Sequence, residues 1–171
     1  MRIEYAVSIW NHTHHAAVGG IEEEIALIRE HDLGVELWGT WRHEDDLYSE
    51  ENRARLRPAL LGMTVSLHSA FGRCWDHHRR QIDAAADWGA QVIVLHSSDL
   101  IPEAGGGLDA GLAREVVAYA AERQVRIALE NGQLPFLMEA IEAVEDLGIC
   151  LDVGHIYLCL LYTSPSPRDR S

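Results

Sequence analysis

Short apolar runs rich in β-branched residues alternate along the chain with longer segments of helical periodicity. We predict strands at six of these runs: Ile3–Ile9, Val35–Trp38, Thr64–His68, Gln91–His96, Arg126–Glu130 and Ile149–Asp152. Between them, apolar residues recur on one helical face, as Ile21, Ile25 and Ile28 do. Strands that alternate with helices are typical of successive βαβ units, so the pattern predicts a parallel sheet.

A short repeat precedes three of the predicted strands: Asp32-Leu33-Gly34, Asp87-Trp88-Gly89 and Asp146-Leu147-Gly148. We expect each glycine to take the left-handed conformation that ends a helix, so that the chain turns directly into the next strand. Repeating units of about 25 to 35 residues are typical of a (β/α)8 barrel. An open doubly wound sheet alternates in the same way, but no GxGxxG motif follows the first strand.

The length of 171 residues suits one domain, whereas a complete (β/α)8 barrel typically needs about 250 residues. We therefore predict an incomplete α/β TIM barrel over residues 1–158, with strands one to six and their helices. Residues 159–171 break the pattern and resemble the translation of a sequencing adapter, so we interpret them as a non-native tail. A natural Ser/Pro tail is the alternative. Such a chain has open sheet edges, which we expect to pair with other chains.

Composition narrows the classes of function. The formal net charge of −13 opposes phosphate binding, so we expect no nucleic-acid partner. No apolar segment approaches the roughly 18 to 20 residues of a membrane span, and the N-terminus lacks a secretory signal, so we expect a cytoplasmic protein without a membrane partner. The chain contains no lysine, which excludes Schiff-base chemistry by lysine within it.

Ionisable residues stand at the carboxyl ends of five predicted strands: Glu36, His68, His96, Glu130 and Asp152. In parallel α/β folds the functional site lies at this edge of the sheet. A single one of them could be a loop residue or a satisfied buried group, but five in succession indicate a shared site. Imidazole and carboxylate groups are also common metal ligands.

The segments around these residues resemble the strand-end motifs of xylose isomerase-like barrels. The matching motifs are Val65-Ser66-Leu67-His68-Ser69, Val92-Ile93-Val94-Leu95-His96, Ala128-Leu129-Glu130-Asn131 and Leu151-Asp152-Val153-Gly154-His155. This superfamily includes sugar-phosphate isomerases and epimerases, and apurinic endonucleases. The resemblance covers essentially all of residues 1–158 and identifies no particular substrate.

The resemblance implies roles for single residues. Glu130 and Asp152 would bind a divalent metal (Mn, Mg, Co or Zn), Glu130 would also act as a catalytic base, and His155 would be catalytic by contacting substrate or a second metal. Four residues are predicted to bind substrate: His68 and His96 by the resemblance, and, from residue type and position alone, Glu36 by hydrogen bonding and Trp10 as part of an apolar wall. For the first two, binding further metals is the alternative, and extra histidines favour Zn²⁺. The family's remaining ligands come from strands seven and eight.

We therefore predict a metal-dependent isomerase or epimerase of a small sugar or polyol, which removes a proton next to a carbonyl and stabilises the enediolate. A phosphodiesterase of the apurinic-endonuclease type is the alternative. A non-catalytic fragment is the third hypothesis, because we expect the chain to be inactive by itself without strands seven and eight. The parent enzyme is hypothesised to be a homo-oligomer.

His77 and His78 are expected at the surface, and Asn131 is expected to orient a ligand.

Overall fold

A computed structural model describes residues 5–9, 20–39, 47–69 and 72–153 of the chain. Six strands form one sheet, in which every neighbouring pair is parallel and the spatial order follows the sequence. The strands are β1 (Ala6–Ser8), β2 (Gly34–Trp38), β3 (Val65–His68), β4 (Val92–Leu95), β5 (Arg126–Glu130) and β6 (Gly148–Cys150). The strand order never reverses, as it does in a doubly wound sheet, so the predicted incomplete barrel is confirmed.

Helices connect consecutive strands in the described residues. They are α1 (Ile21–Glu30), α2 (Glu50–Leu60), α3 (Trp75–Trp88), α4 (Ala110–Glu122) and α5 (Leu134–Ala143). A short 3₁₀ helix, Ser97–Leu100, directly follows β4. No helix in these ranges is long and apolar enough to cross a membrane.

The two faces of the sheet carry different side chains, because successive residues of a strand point to opposite sides. One face holds large apolar residues, such as Leu37, Leu67 and Leu129, that are fully buried in one core with Ile25 of α1 and Ile82 of α3. We call this the helix-packed face. The opposite face, which we call the inner face, carries smaller residues along the strands: Ser66, Ala128 and Gly148. At the carboxyl ends of the strands, the inner face carries the predicted site residues.

The Asp-x-Gly repeat before β2, β4 and β6 places the left-handed conformation at its glycine in one copy and at its aspartate in the other two. Gly89 takes the predicted left-handed conformation, with φ of 70°. For Gly34 and Gly148 the prediction is wrong, because Asp32 (φ 55°) and Asp146 (φ 63°) take that conformation instead. Gly34 serves another purpose, since a Cβ there would lie only 2.7 Å from the backbone oxygen of Thr64. The glycine thus permits the close approach of β2 to β3.

The predicted strand bounds differ from the observed ones mainly at the ends. Arg126–Glu130 matches β5 residue for residue, whereas β4 ends one residue before His96 and β6 ends two residues before Asp152. Both residues therefore stand just beyond the ends of their strands. The predicted tail at 159–171 lies outside the described residues, so the domain division remains a prediction.

Candidate metal centre

Four of the predicted site residues come together at the carboxyl end of the inner face. The period of two puts Glu36 and Trp38 of β2 on the same side as His68 of β3 and Glu130 of β5, and His96 follows β4 on that side. These five residues line a cavity of about 370 Å³ together with Ser8 and Asp152. The cavity opens where the strand ends of a parallel α/β fold normally form the functional site.

Two imidazoles and one carboxylate converge within the cavity. His68 Nε2 lies 3.1 Å from His96 Nε2, and Glu130 Oε2 lies 3.3 Å from His96 Nε2 and 4.0 Å from His68 Nε2. One ligand atom from each residue lies within 4.8 Å of the others, and both His68 and Glu130 are 7% exposed. Two imidazole nitrogens and a carboxylate oxygen this close together form a suitable ligand set for a divalent metal ion.

A carboxylate lies behind each histidine, on the side away from the convergence point. Behind His68 this is Glu36, whose Oε1 is 3.6 Å from His68 Nδ1 and accepts a hydrogen bond from the Trp38 indole at 3.2 Å. The Trp38 ring also stacks on His68, with centroids 4.1 Å apart. Burial raises the pKa of Glu36, but hydrogen bonds and charge from His68, with hydrogen bonds from Ser8 and Trp38, outweigh it and lower the pKa overall. Glu36 is therefore an anion that is turned towards His68.

Behind His96 the carboxylate belongs to Asp99, a fully buried residue that the sequence analysis did not single out. Its Oδ2 accepts a hydrogen bond from the His96 backbone N–H at 2.9 Å and lies 3.7 Å from His96 Nδ1. Hydrogen bonding to Asp99 raises the pKa of His96 against the opposing effect of burial, with further support from the charges of Asp99 and Glu130. The signal in the sequence was the three-residue spacing of a capping box, with His96 as the N-cap of the 3₁₀ helix.

Asp152 lines the cavity but is not part of the three-residue ligand group. Its backbone is held by Asn131, whose Nδ2 donates to the Asp152 carbonyl at 3.1 Å and whose Oδ1 accepts from the Asp152 N–H. Asn131 thus holds the backbone of Asp152, and its role in orienting a ligand stays a prediction.

The prediction that His78 lies at the surface is wrong, because the residue is 0% exposed. It lies on the inward face of α3, where its Nε2–H donates to the backbone carbonyl of Asp99 at 3.1 Å and its Nδ1 accepts from Gln81 at 3.0 Å. Burial lowers the pKa of His78, although the Asp99 carbonyl and carboxylate partly oppose this effect.

The remaining two predicted site residues, Trp10 and His155, lie outside the described residues.

Known proteins resemble this chain in fold more than in sequence. No model of a known protein family matches it, and no curated protein does. The TTHB071 protein from Thermus thermophilus, solved after soaking with ZnCl2, is 24% identical with a TM-score of 0.60 over 91% of this chain and 68% of its own. A xylose isomerase domain protein from Planctomyces limnophilus is 20% identical with a TM-score of 0.55 over 88% of this chain and 62% of its own. The chain therefore has the xylose isomerase-like barrel fold, as the motifs predicted.

Proposed function

We propose that this chain belongs to a divalent-metal-dependent isomerase or epimerase that acts on a small sugar or polyol. The observation that carries the proposal is that one ligand atom from each of His68, His96 and Glu130 lies within 4.8 Å of the other two. The surrounding cavity of about 370 Å³ is within the usual range for small-molecule sites. The fold shared with a xylose isomerase domain protein supports the same class of reaction.

The metal would be held by His68 Nε2, His96 Nε2 and Glu130 Oε2, with Asp152 as a further ligand that lines the same cavity. Because both Nε2 atoms are directed at the same point as a carboxylate, we favour metal binding over hydroxyl binding for the two histidines. Two imidazoles in the set favour Zn²⁺ or Co²⁺ over Mg²⁺. When bound, a divalent ion would polarise the oxygens of the substrate and stabilise negative charge that develops beside its carbonyl.

Proton transfer would fall to a carboxylate of the inner face, because isomerisation requires removing a proton from the carbon next to a carbonyl. Glu130 is our candidate base, since it is 7% exposed and lies beside the ligand histidines. Glu36 is less available, because its Oε1 accepts from Trp38 and its charge faces His68. Three of the residues that line the cavity are acidic, which supports a neutral polyol as substrate and no nucleic-acid partner.

A phosphodiesterase is the second candidate function. The observation that favours it is the pair of adjacent histidines, with Nε2 atoms 3.1 Å apart, because zinc-rich hydrolytic sites use such ligands. The similar structure from Thermus thermophilus was soaked with ZnCl2, which supports testing zinc first. The number of metal ions separates the two functions, since an isomerase would hold about one and a phosphodiesterase two or three.

The test combines metal counting with two assays. The chain is loaded separately with Zn²⁺, Co²⁺, Mn²⁺ and Mg²⁺, freed of excess ion and analysed by mass spectrometry for bound metal. Protein from the complete reading frame is then incubated with a panel of ketoses in D2O, and deuterium uptake beside the carbonyl is followed by NMR. We expect uptake that Glu130→Gln abolishes. Hydrolysis of bis(p-nitrophenyl) phosphate without deuterium uptake would instead establish the phosphodiesterase.

A further inference from the structure

The two candidate ligand histidines share an arrangement that the proposed metal site does not by itself explain. Each directs Nε2 at the other, with 3.1 Å between the two atoms, and each has Nδ1 beside a carboxylate. Glu36 Oε1 lies 3.6 Å from Nδ1 of His68, and Asp99 Oδ2 lies 3.7 Å from Nδ1 of His96. We call Glu36 and Asp99 the outer carboxylates.

We propose that the outer carboxylates are positioning residues, which hold the proton of each imidazole on Nδ1 and so direct both Nε2 lone pairs at one metal ion. This inference rests on the metal site proposed above. A neutral imidazole carries its proton on one nitrogen only, and an anion beside Nδ1 favours the tautomer protonated there. If one ring were protonated at Nε2, it would donate a hydrogen bond to the other Nε2, 3.1 Å away, whereas protonation of both rings at Nδ1 leaves both Nε2 lone pairs for a cation. With both protons on Nδ1, the two Nε2 atoms are therefore available to bind one cation.

Each outer carboxylate is itself fixed by a second group. Glu36 accepts a hydrogen bond from the Trp38 indole, and the Trp38 ring stacks on His68, so the carboxylate and its histidine are held as one unit. Asp99 is 0% exposed, and its backbone carbonyl accepts a hydrogen bond from the buried His78 of α3. Such fixed outer groups orient metal-binding histidines in many proteins.

A buried carboxylate needs polar partners, and His96 supplies two of them for Asp99, its backbone N–H and its ring Nδ1. A carboxylate costs free energy when it leaves water, and Asp99 is fully buried. Its Oδ2 accepts a hydrogen bond from the His96 backbone N–H at 2.9 Å, and its Oδ1 accepts one from the Gly72 backbone N–H at 3.4 Å. A neutral asparagine, with one acceptor oxygen, would keep only one of the two. The Nδ1 atom of His96, 3.7 Å from Asp99 Oδ2, is a further polar group that faces this carboxylate, and it connects Asp99 with the candidate metal centre.

The matched substitutions are Asp99→Asn and Glu36→Gln, which keep the shape and an acceptor oxygen but remove the charge. The amide oxygen at 99 can still cap the 3₁₀ helix, and the one at 36 can still accept from Trp38. Asp109→Asn is the control, because Asp109 also caps a helix, by accepting from the Leu112 N–H at 2.9 Å, and makes the same change at the start of α4. All variants are made in the full chain of 171 residues.

Zinc and cobalt affinities are measured by competition with a chromophoric chelator, ring tautomers by ¹⁵N NMR of the histidines, and folding by thermal melting without metal. We expect each of the two amide variants to bind zinc about 10- to 100-fold more weakly, to lose the Nδ1–H tautomer of its own histidine, and to melt as the unmodified chain does. The control variant should bind zinc with unchanged affinity.

Three results would overturn the inference. If both amide variants bind zinc as the unmodified chain does, the outer carboxylates do not position the histidines, although the metal site stands. If the control loses as much affinity, or the loss follows a loss of folded structure, the role of Asp99 is only structural. If the unmodified chain binds neither zinc nor cobalt, the metal site and this inference fail together.

Discussion

The helix-packed face and the inner face of the sheet are built from alternate residues of the same strands, yet their buried side chains have different kinds of partner. Leu37 and Leu67 are fully buried among apolar side chains of the helices. Their direct neighbours Glu36 and His68 are also largely buried, but each faces a partner of polar or charged character. Burial stabilises the first pair by the hydrophobic effect, whereas it costs free energy for the second pair unless their polar groups are satisfied. One face therefore supplies stability, and the other supplies chemistry.

The largest effect is expected from a substitution that creates a cavity in the helix-packed face. Leu67→Ala should lower the free energy of unfolding by about 2 to 5 kcal/mol, because the side chain is fully buried and its neighbours can close the space only in part. Urea unfolding followed by circular dichroism measures the change. Ser66→Ala, one residue earlier on the inner face, is the control and should cost less than about 0.5 kcal/mol. Equal losses for the two variants would contradict the division between the faces.

A substitution on the inner face should affect metal binding and leave folding nearly unchanged. Zinc at about 100 times its dissociation constant should stabilise the chain by about 2.7 kcal/mol, since it binds only the folded state. Glu130→Gln should abolish this gain, because it removes the charged oxygen that faces the histidines, and should change the metal-free stability by less than about 1 kcal/mol. Thermal melts with and without zinc measure both quantities.

The control for that experiment is Glu142→Gln, which makes the same change at an exposed position of α5. It should retain the full stabilisation by zinc. If Glu130→Gln were stabilised as much as the control, Glu130 could not be a ligand.

A smaller effect is expected from pH, through the buried His78. Because burial lowers its pKa in the folded state, the unfolded chain takes up a proton at His78 as the pH falls below about 6.5, while the folded chain does not. The stability that His78 contributes is thus complete above the unfolded value and is lost as the pH falls towards the lowered folded value. Between pH 6.5 and 5.5 the free energy of unfolding should therefore fall, by no more than the roughly 1.4 kcal/mol per pH unit that one proton can contribute.

Urea unfolding at a series of pH values measures this slope. His78→Gln should flatten it, whereas His31→Gln, at an exposed position after α1, controls for the loss of an imidazole. An unchanged slope for the His78 variant would mean that other groups cause the acid sensitivity.

The smallest expected change in stability lies at the edge of the sheet. Ile149 of β6 is 55% exposed, and β6 stands at one end of the strand order in the described residues. Ile149→Lys should alter the free energy of unfolding by less than about 0.5 kcal/mol but should reduce concentration-dependent association, because charge on an edge strand opposes pairing with another chain. Light scattering over a concentration series measures association. Leu61→Lys, at an exposed apolar site outside the strands, controls for net charge because it makes the same change.

Local patterns in the sequence were sufficient for most of the fold. The apolar runs located all six strands of the parallel sheet, and the strand-end pattern located the residues that meet in the cavity. Patterns failed where two residue types can do the same task. The left-handed turns before β2 and β6 are made by Asp32 and Asp146 and not by the glycines, because aspartate tolerates that conformation and Gly34 is needed for a close backbone contact.

The sequence by itself determined which side of each strand a residue occupies, because the period of two is a property of the extended backbone and acts between neighbours. Only the tertiary structure decided that His78 is buried and that its ring meets the backbone carbonyl of Asp99. These facts depend on how α3 packs against the loop after β4, with the His78 ring 3.1 Å from the Asp99 carbonyl across 21 residues of chain. Distances between such remote groups are set by packing, and packing also decides which nitrogen of each histidine faces the candidate metal centre.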